Sequence, residues 1–189
     1  MPLLAPMSTI AGQLAFIVGS YHLLKHNKGK GVMIGKMEDI EPRIVTVVGA
    51  GVAGTQSISK ALDNNALVKV LDTSQSKLQA LEKEFGSKNI EYIMSTNESV
   101  QTSINDSDLV IGSVYLVGKE APKVVSKDML ISMKPGTVMV DVSIDQGGCF
   151  ESSKPTTHDN PTFVENDIVH YCVTTVSYTH LRAHETRIH

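Results

Sequence analysis

IVTVVGAGVAG, residues 44–54, decides the fold. IVTVVG (44–49) is a short β-branched apolar run, the composition of a strand buried on both faces. Gly49, Gly51 and Gly54 then fall at the spacing G-x-G-x-x-G, and VAGTQSISKALDN reads as a helix. The motif carries meaning only in this setting, closing a strand and opening a helix. Gly49 permits a tight turn, Gly51 lets the backbone approach a pyrophosphate, and Gly54 lets helix and strand pack closely. The helix start offers N–H groups and a positive dipole end to phosphate. Asp72 ends the next apolar run, LVKVLD (67–72), 18 residues after Gly54. A carboxylate there accepts hydrogen bonds from adenosine ribose hydroxyls and repels a 2′-phosphate, which favours NAD over NADP. No arginine follows closely to reverse that preference.

The same alternation runs outward. SQSKLQALEKEFG reads as a helix ending at Gly86, IEYIM (90–94) as a strand, NESVQTSIND as a helix and DLVIGSV (108–114) as a strand. SKDMLISMKPG reads as a helix stopped by Pro135 and Gly136, TVMVDVSID (137–145) as a fifth strand, and DIVHYCV (167–173) as a sixth. Before the motif, TIAGQLAFIVGSYHLLK has apolar residues at helical spacing; Ser8 reads as its N-cap, and HNKGKG (26–31) as its end. Strands alternating with helices predict an α/β fold: a Rossmann-type, doubly wound, mostly parallel sheet preceded by a long helix.

The 189 residues are 41% hydrophobic, enough to bury a core, with a net charge of −3 and no basic stripe. This gives no support for nucleic-acid binding and little for a membrane surface. No apolar run approaches the roughly 20 residues of a membrane span, and MPLLAPMSTIAG lacks the charged start of a secretory signal. Cys149 and Cys172 have no CxxC spacing and read as buried, reduced thiols. His22 and His26, near the end of the first helix, read as surface residues.

APMSTIAG (5–12), GKGVMIG (29–35), VVGAGVAG (47–54), DLVIGSVYLVGKEAPKVV (108–125), MKPGTVMVDVSIDQGGCFESSKPTTHDNPTF (133–163) and HYCV (170–173) together resemble the NAD-binding part of alanine dehydrogenase. That family is related to the NAD-binding subunit of proton-translocating transhydrogenase. The IDQGG segment favours the dehydrogenase; a non-catalytic NAD(H)-binding subunit of the transhydrogenase kind is the alternative. The resemblance implies reversible NAD-dependent deamination of L-alanine to pyruvate and ammonia, in a cytoplasmic homo-hexamer. It implies NAD contacts from Ser8, the glycine loop, Asp72, Lys77, Ser95, Val114, Tyr115 and Val142. Tyr115 departs from the family's usual leucine.

Asp145 is the candidate catalytic residue. From the residues alone it reads as a turn-capping aspartate before Gly147 and Gly148. The resemblance reverses that reading, since the matching aspartate lies beside nicotinamide and substrate. A carboxylate there stabilises an iminium or relays a proton during its hydrolysis. Lys77, on a predicted helix, reads by itself as a solvated lysine, and His158 as a loop histidine outside catalysis.

The resemblance also implies a preceding substrate domain that carries an arginine, a lysine and a histidine of the active site. Residues 1–28 are then the connector helix, 29–173 the NAD(H)-binding domain and 174–189 a non-native tail. The tail holds His180, His184 and His189. The first two would share a helix face and suit a metal. But VSYTHLRAHET is similar to a translated transposon-derived sequencing adapter, so no metal site is expected. The fragment is expected to be inactive by itself.

Overall fold

The computed structural model describes residues 4–35, 38, 40–116 and 118–174. Its first element is helix α1, Leu4–His22. Pro6 lies inside the first turn of α1, where a missing N–H costs nothing. Ser8 therefore sits within the helix rather than capping it, contrary to the sequence reading. The helix stops at His22, with a 3-10 turn at Lys25–Asn27.

Strands β1 (Ile44–Val48), β2 (Leu67–Asp72), β3 (Ile90–Met94), β4 (Leu109–Gly112) and β5 (Val138–Asp141) are parallel. Helices α2 (Val52–Asp63), α3 (Gln75–Phe85) and α4 (Asn97–Asp106) connect the first four. Strands β6 (Thr162–Glu165) and β7 (Ile168–Tyr171) complete one seven-stranded sheet, in the order β3-β2-β1-β4-β5-β7-β6. β7 is parallel to β5, and β6 is an antiparallel edge.

Alternate residues of each strand feed two cores. Val45, Val47, Val68, Val70, Leu109 and Ile111 face one, with Ala15 and Phe16 of α1 and Ile58 of α2. Val48, Leu71, Val110 and Met139 face the other, with Val100 and Ile104 of α4. This is the two-residue period of a strand acting on a sheet covered on both sides. Each central strand buries apolar side chains in both directions, which is why the sequence runs read as continuous rather than alternating.

Three elements differ from the sequence reading. The segment predicted as a helix before Pro135 forms only a 3-10 turn, Asp128–Ser132. Pro135 holds Lys134 away from helical backbone, and the Lys127 N–H is taken by a Glu151 carboxylate oxygen at 2.9 Å, so too few residues remain for a stable helix. The fifth strand ends at Asp141, not 145, because the Asp141 carboxylate accepts the Ser143 N–H at 2.9 Å and turns the chain. The sixth run is the second arm of a hairpin. Its turn, Asn166 and Asp167, has φ of 52° and 60° at both positions. Asn and Asp tolerate that left-handed backbone, and two such residues suit a tight hairpin.

His22 also departs from expectation. It is buried, with Tyr21 at its edge and Tyr171 across from it. Burial, and next the charge of His26, hold its pKa below the ordinary value. His26 is exposed, as read.

Candidate functional site

The carboxyl ends of β1, β2, β4 and β5 lie on one edge of the sheet, with the reversal of strand order between β1 and β4. That edge is where open α/β sheets bind ligands. Gly49 leaves β1 with φ of 107°, and a Cβ there would stand 2.7 Å from the Ser113 carbonyl oxygen. Ser113 itself donates to the Gly49 carbonyl at 2.9 Å, locking the glycine turn onto the end of β4. Ser113 lies in the resembling segment but carries no motif signal; only the adjacency of β1 and β4 reveals it.

Gly54 is buried in α2, and a Cβ there would collide with the Gly49 carbonyl oxygen. Gly51 is different. It precedes α2 in extended backbone, and an added Cβ would meet nothing within 4 Å. Among the described residues no side chain caps α2. The first turn of α2 thus starts without a side-chain cap, next to the open space at Gly51. Two of the glycines serve the packing of the protein on itself, and Gly51 leaves room for something else.

Asp72 ends β2 and is buried. One carboxylate oxygen accepts the Ala50 N–H of the glycine turn at 2.7 Å, and the other accepts the Ser74 N–H at 2.8 Å. Lys77, on α3, holds its ammonium 3.5 Å from Asp72 and is 54% exposed. Ser95 follows β3, half-buried, and its N–H donates to the Asp72 carbonyl at 3.0 Å. Asp72, Lys77, Ser95 and the glycine turn therefore form one cluster. Ser8 lies on the face of α1 that holds Gly12, one turn away. A Cβ at Gly12 would collide with the Ala53 carbonyl, so this face presses on the first turn of α2.

The second cluster surrounds the ends of β4 and β5. Val114 is half-buried and its carbonyl accepts the Ser143 hydroxyl at 2.7 Å. Val142 continues the β4 pairing through its N–H to the Gly112 carbonyl at 2.8 Å. Tyr115 is 53% exposed. Asp145 is exposed in a 3-10 turn, Ile144–Gln146, rather than at a strand end. A cavity walled by Ala11, Ala15, Val18, Val142 and Tyr171 opens beside it. The carboxylate at the strand end is Asp141, which sequence reading passed over. It is buried and accepts the N–H groups of Ser143, Cys149 (2.8 Å) and Phe150 (3.3 Å) and the Ser153 hydroxyl.

Cys149 and Cys172 are buried free thiols, as read, and burial first, then Asp141, raises both pKa values, that of Cys172 to about 12. Thiolate chemistry is therefore suppressed at both. His158 is exposed. The tail that carries His180, His184 and His189 lies outside the described residues. Among those described, no His, Cys, Asp or Glu group is arranged to hold a metal, and no helix is long and apolar enough to cross a membrane.

Comparison with known proteins agrees with this fold. The alanine dehydrogenase of Halomonas elongata is 46% identical over 173 residues, covering 92% of this chain and 46% of that protein. A solved L-alanine dehydrogenase superposes with a TM-score of 0.88 at 38% identity, over 91% of this chain and 47% of the other. A transhydrogenase from Sinorhizobium meliloti superposes at 0.77 with 26% identity, over 94% and 49%. The chain thus spans about half the length of the curated relatives it matches. The family described as alanine dehydrogenase/PNT, C-terminal domain, matches residues 15–180, and this chain belongs to it.

Proposed function

We propose that this chain is the NAD(H)-binding half of an L-alanine dehydrogenase, which deaminates L-alanine reversibly to pyruvate and ammonia. The observation that carries the reading is the contrast among the three glycines. Gly49 and Gly54 are filled by the protein's own carbonyls, whereas Gly51 opens beside uncapped helix N–H groups. A pyrophosphate fits that chemistry, because it accepts several hydrogen bonds and is stabilised by the helix dipole. Asp72, with Lys77 beside it, offers acceptor capacity one strand away for a ribose diol.

NAD, when bound, supplies the hydride acceptor. The chain's own residues bind and orient it. Gly51 and the start of α2 would hold the pyrophosphate, Asp72, Lys77 and Ser95 the adenosine side, and Val114, Tyr115 and Val142 the nicotinamide side. Ser8, on the α1 face that presses on α2, would close over the phosphates. Asp145, exposed beside the cavity near Val142, would hold or relay a proton for the substrate nitrogen or its attacking water. We assign residues 1–28 to a connector from a preceding substrate domain; Ile17 and Tyr21 of α1, each 53% exposed, offer that domain an apolar face.

An NADH titration tests the reading. Reduced nicotinamide is excited where no side chain of the protein absorbs, so its emission reads binding directly. NADH is expected to bind with enhanced emission, and NADPH about tenfold more weakly. Equal binding of the two would remove the role given to Asp72. By itself the chain is expected to form no NADH from alanine; measurable turnover would refute a division of the active site between two domains.

A further inference from the structure

The turn that bears Asp145 is held from two sides by opposite charges. On one side, buried Asp141 collects the N–H groups that enter and leave the turn, those of Ser143, Cys149 and Phe150. On the other side stands Lys123, from the segment that follows β4. Its ammonium donates to the carbonyl of Gly147 and, at 2.7 Å, to that of Gly148. Both glycines have positive φ, 86° and 77°, which aims successive carbonyls to one side of the chain. Backbone rungs run on either side of the lysine: the Ala121 N–H to the Gln146 carbonyl at 2.9 Å and the Val124 N–H to the Cys149 carbonyl at 2.8 Å. Gln146 adds its side-chain amide to the Leu116 carbonyl at 3.0 Å. Lys123 thus occupies the gap in this ladder where the turn bulges away. A cation at the carbonyl end of a helical turn also suits its dipole, and charge-assisted bonds are the stronger kind.

We propose that Lys123 is a positioning residue: it holds the 143–148 turn, and through it Val142 and Asp145, at the nicotinamide end of the site. This rests on the NAD(H) reading above. The adenosine end does not depend on it, since the Gly49–Gly54 loop and Asp72 are built on β1 and β2. Removing the charge therefore separates the two halves of the dinucleotide. Lys123 is exposed, so its replacement spares the core.

The test uses the isotope-labelled chain with Lys123→Met and, as the conservative variant, Lys123→Arg. In Lys123→Met, amide exchange at Gly147 and Gly148 is expected to rise about tenfold while β1 and β2 are unchanged. NADH affinity should fall about fivefold and ADP-ribose affinity stay within about twofold, with Lys123→Arg restoring both readouts. Unchanged exchange and NADH affinity in Lys123→Met overturn the proposal. So does an equal loss of NADH and ADP-ribose, which marks a general structural effect. If the wild-type chain binds neither nucleotide, the NAD(H) reading fails and there is no nicotinamide end to position. Wild-type binding with an unaffected Lys123→Met defeats the lysine's role alone.

Discussion

Asp72 and Asp141 end parallel strands in the same manner. Each is followed by one residue and a serine, and each accepts that serine's N–H, at 2.8 and 2.9 Å. Both are buried. They part company at the second carboxylate oxygen. That of Asp72 accepts the Ala50 N–H and faces the half-exposed Lys77, leaving an edge toward the glycine turn. That of Asp141 accepts from Cys149, Phe150 and Ser153 and is consumed by the fold. Two identical local motifs thus leave an open edge in one place and build an internal frame in the other. What separates them is the chain that returns beside each strand end.

Of the two aspartates, breaking the frame should have the larger effect. Asp141→Asn puts an amide N–H₂ among several N–H donors, and is expected to lower unfolding stability by about 3 kcal/mol. Urea unfolding followed by circular dichroism measures it; a loss no greater than that of Asp72→Asn would erase the contrast between the two residues. Asp72→Asn should cost about 1 kcal/mol of stability and about tenfold in NADH affinity, read by fluorescence titration on the folded variant. A smaller effect is expected from Gly51→Ala, which meets no protein atom: stability within about 0.5 kcal/mol of wild type, NADH binding weakened about fourfold. Its partner Gly54→Ala should instead unfold or strongly destabilise the chain, because the colliding atom is backbone. If the two alanine variants behave alike, the division between open and filled glycines is wrong.

The smallest effect concerns β7, which borders β5. Buried His170 has Nδ1 3.0 Å from the Ile168 carbonyl, so Nδ1 carries the proton and Nε2 accepts the Ser152 hydroxyl at 2.8 Å. Burial is the largest cause holding its pKa below 6.5. The unfolded chain therefore binds this proton first as pH falls. Above 6.5 the group costs nothing; below it stability declines until the folded pKa is passed. Buried His22 acts in the same direction. The expected loss is under about 1 kcal/mol between about pH 7 and about pH 5, from unfolding curves across that window. A His170→Gln variant should show a shallower slope.

Much of the β1–β2 side of the candidate site is legible because its signals are local. The β1 run, the three glycines and Asp72 sit within 29 residues, and each is demanded by the geometry of one strand-turn-helix-strand unit. The β4–β5 side is not. TVMVDVSID reads as one long strand because its apolar residues continue past Asp141, yet the strand stops where that carboxylate captures the Ser143 N–H. Ser8 reads as a cap because it directly precedes the apolar periodicity, whereas the helix starts at Leu4 with Pro6 accepted in its first turn. His22 looked exposed because its burial depends on Tyr171, 149 residues away. The hairpin turn at Asn166 and Asp167 did leave a signal, two residues tolerant of positive φ between apolar runs.

The sequence by itself therefore determined the layered α/β class, the glycine turn and the acidic end of β2, since period, steric demand and charge at those places act over a few residues. Only the tertiary structure decided that Ser113 fills the Gly49 turn, which strand-end aspartate is spent, and that Lys123 faces the Gly147–Gly148 turn. Those outcomes depend on segments from 8 to 64 residues apart meeting at the sheet edge, where a carbonyl or an N–H from elsewhere occupies a site or leaves it free.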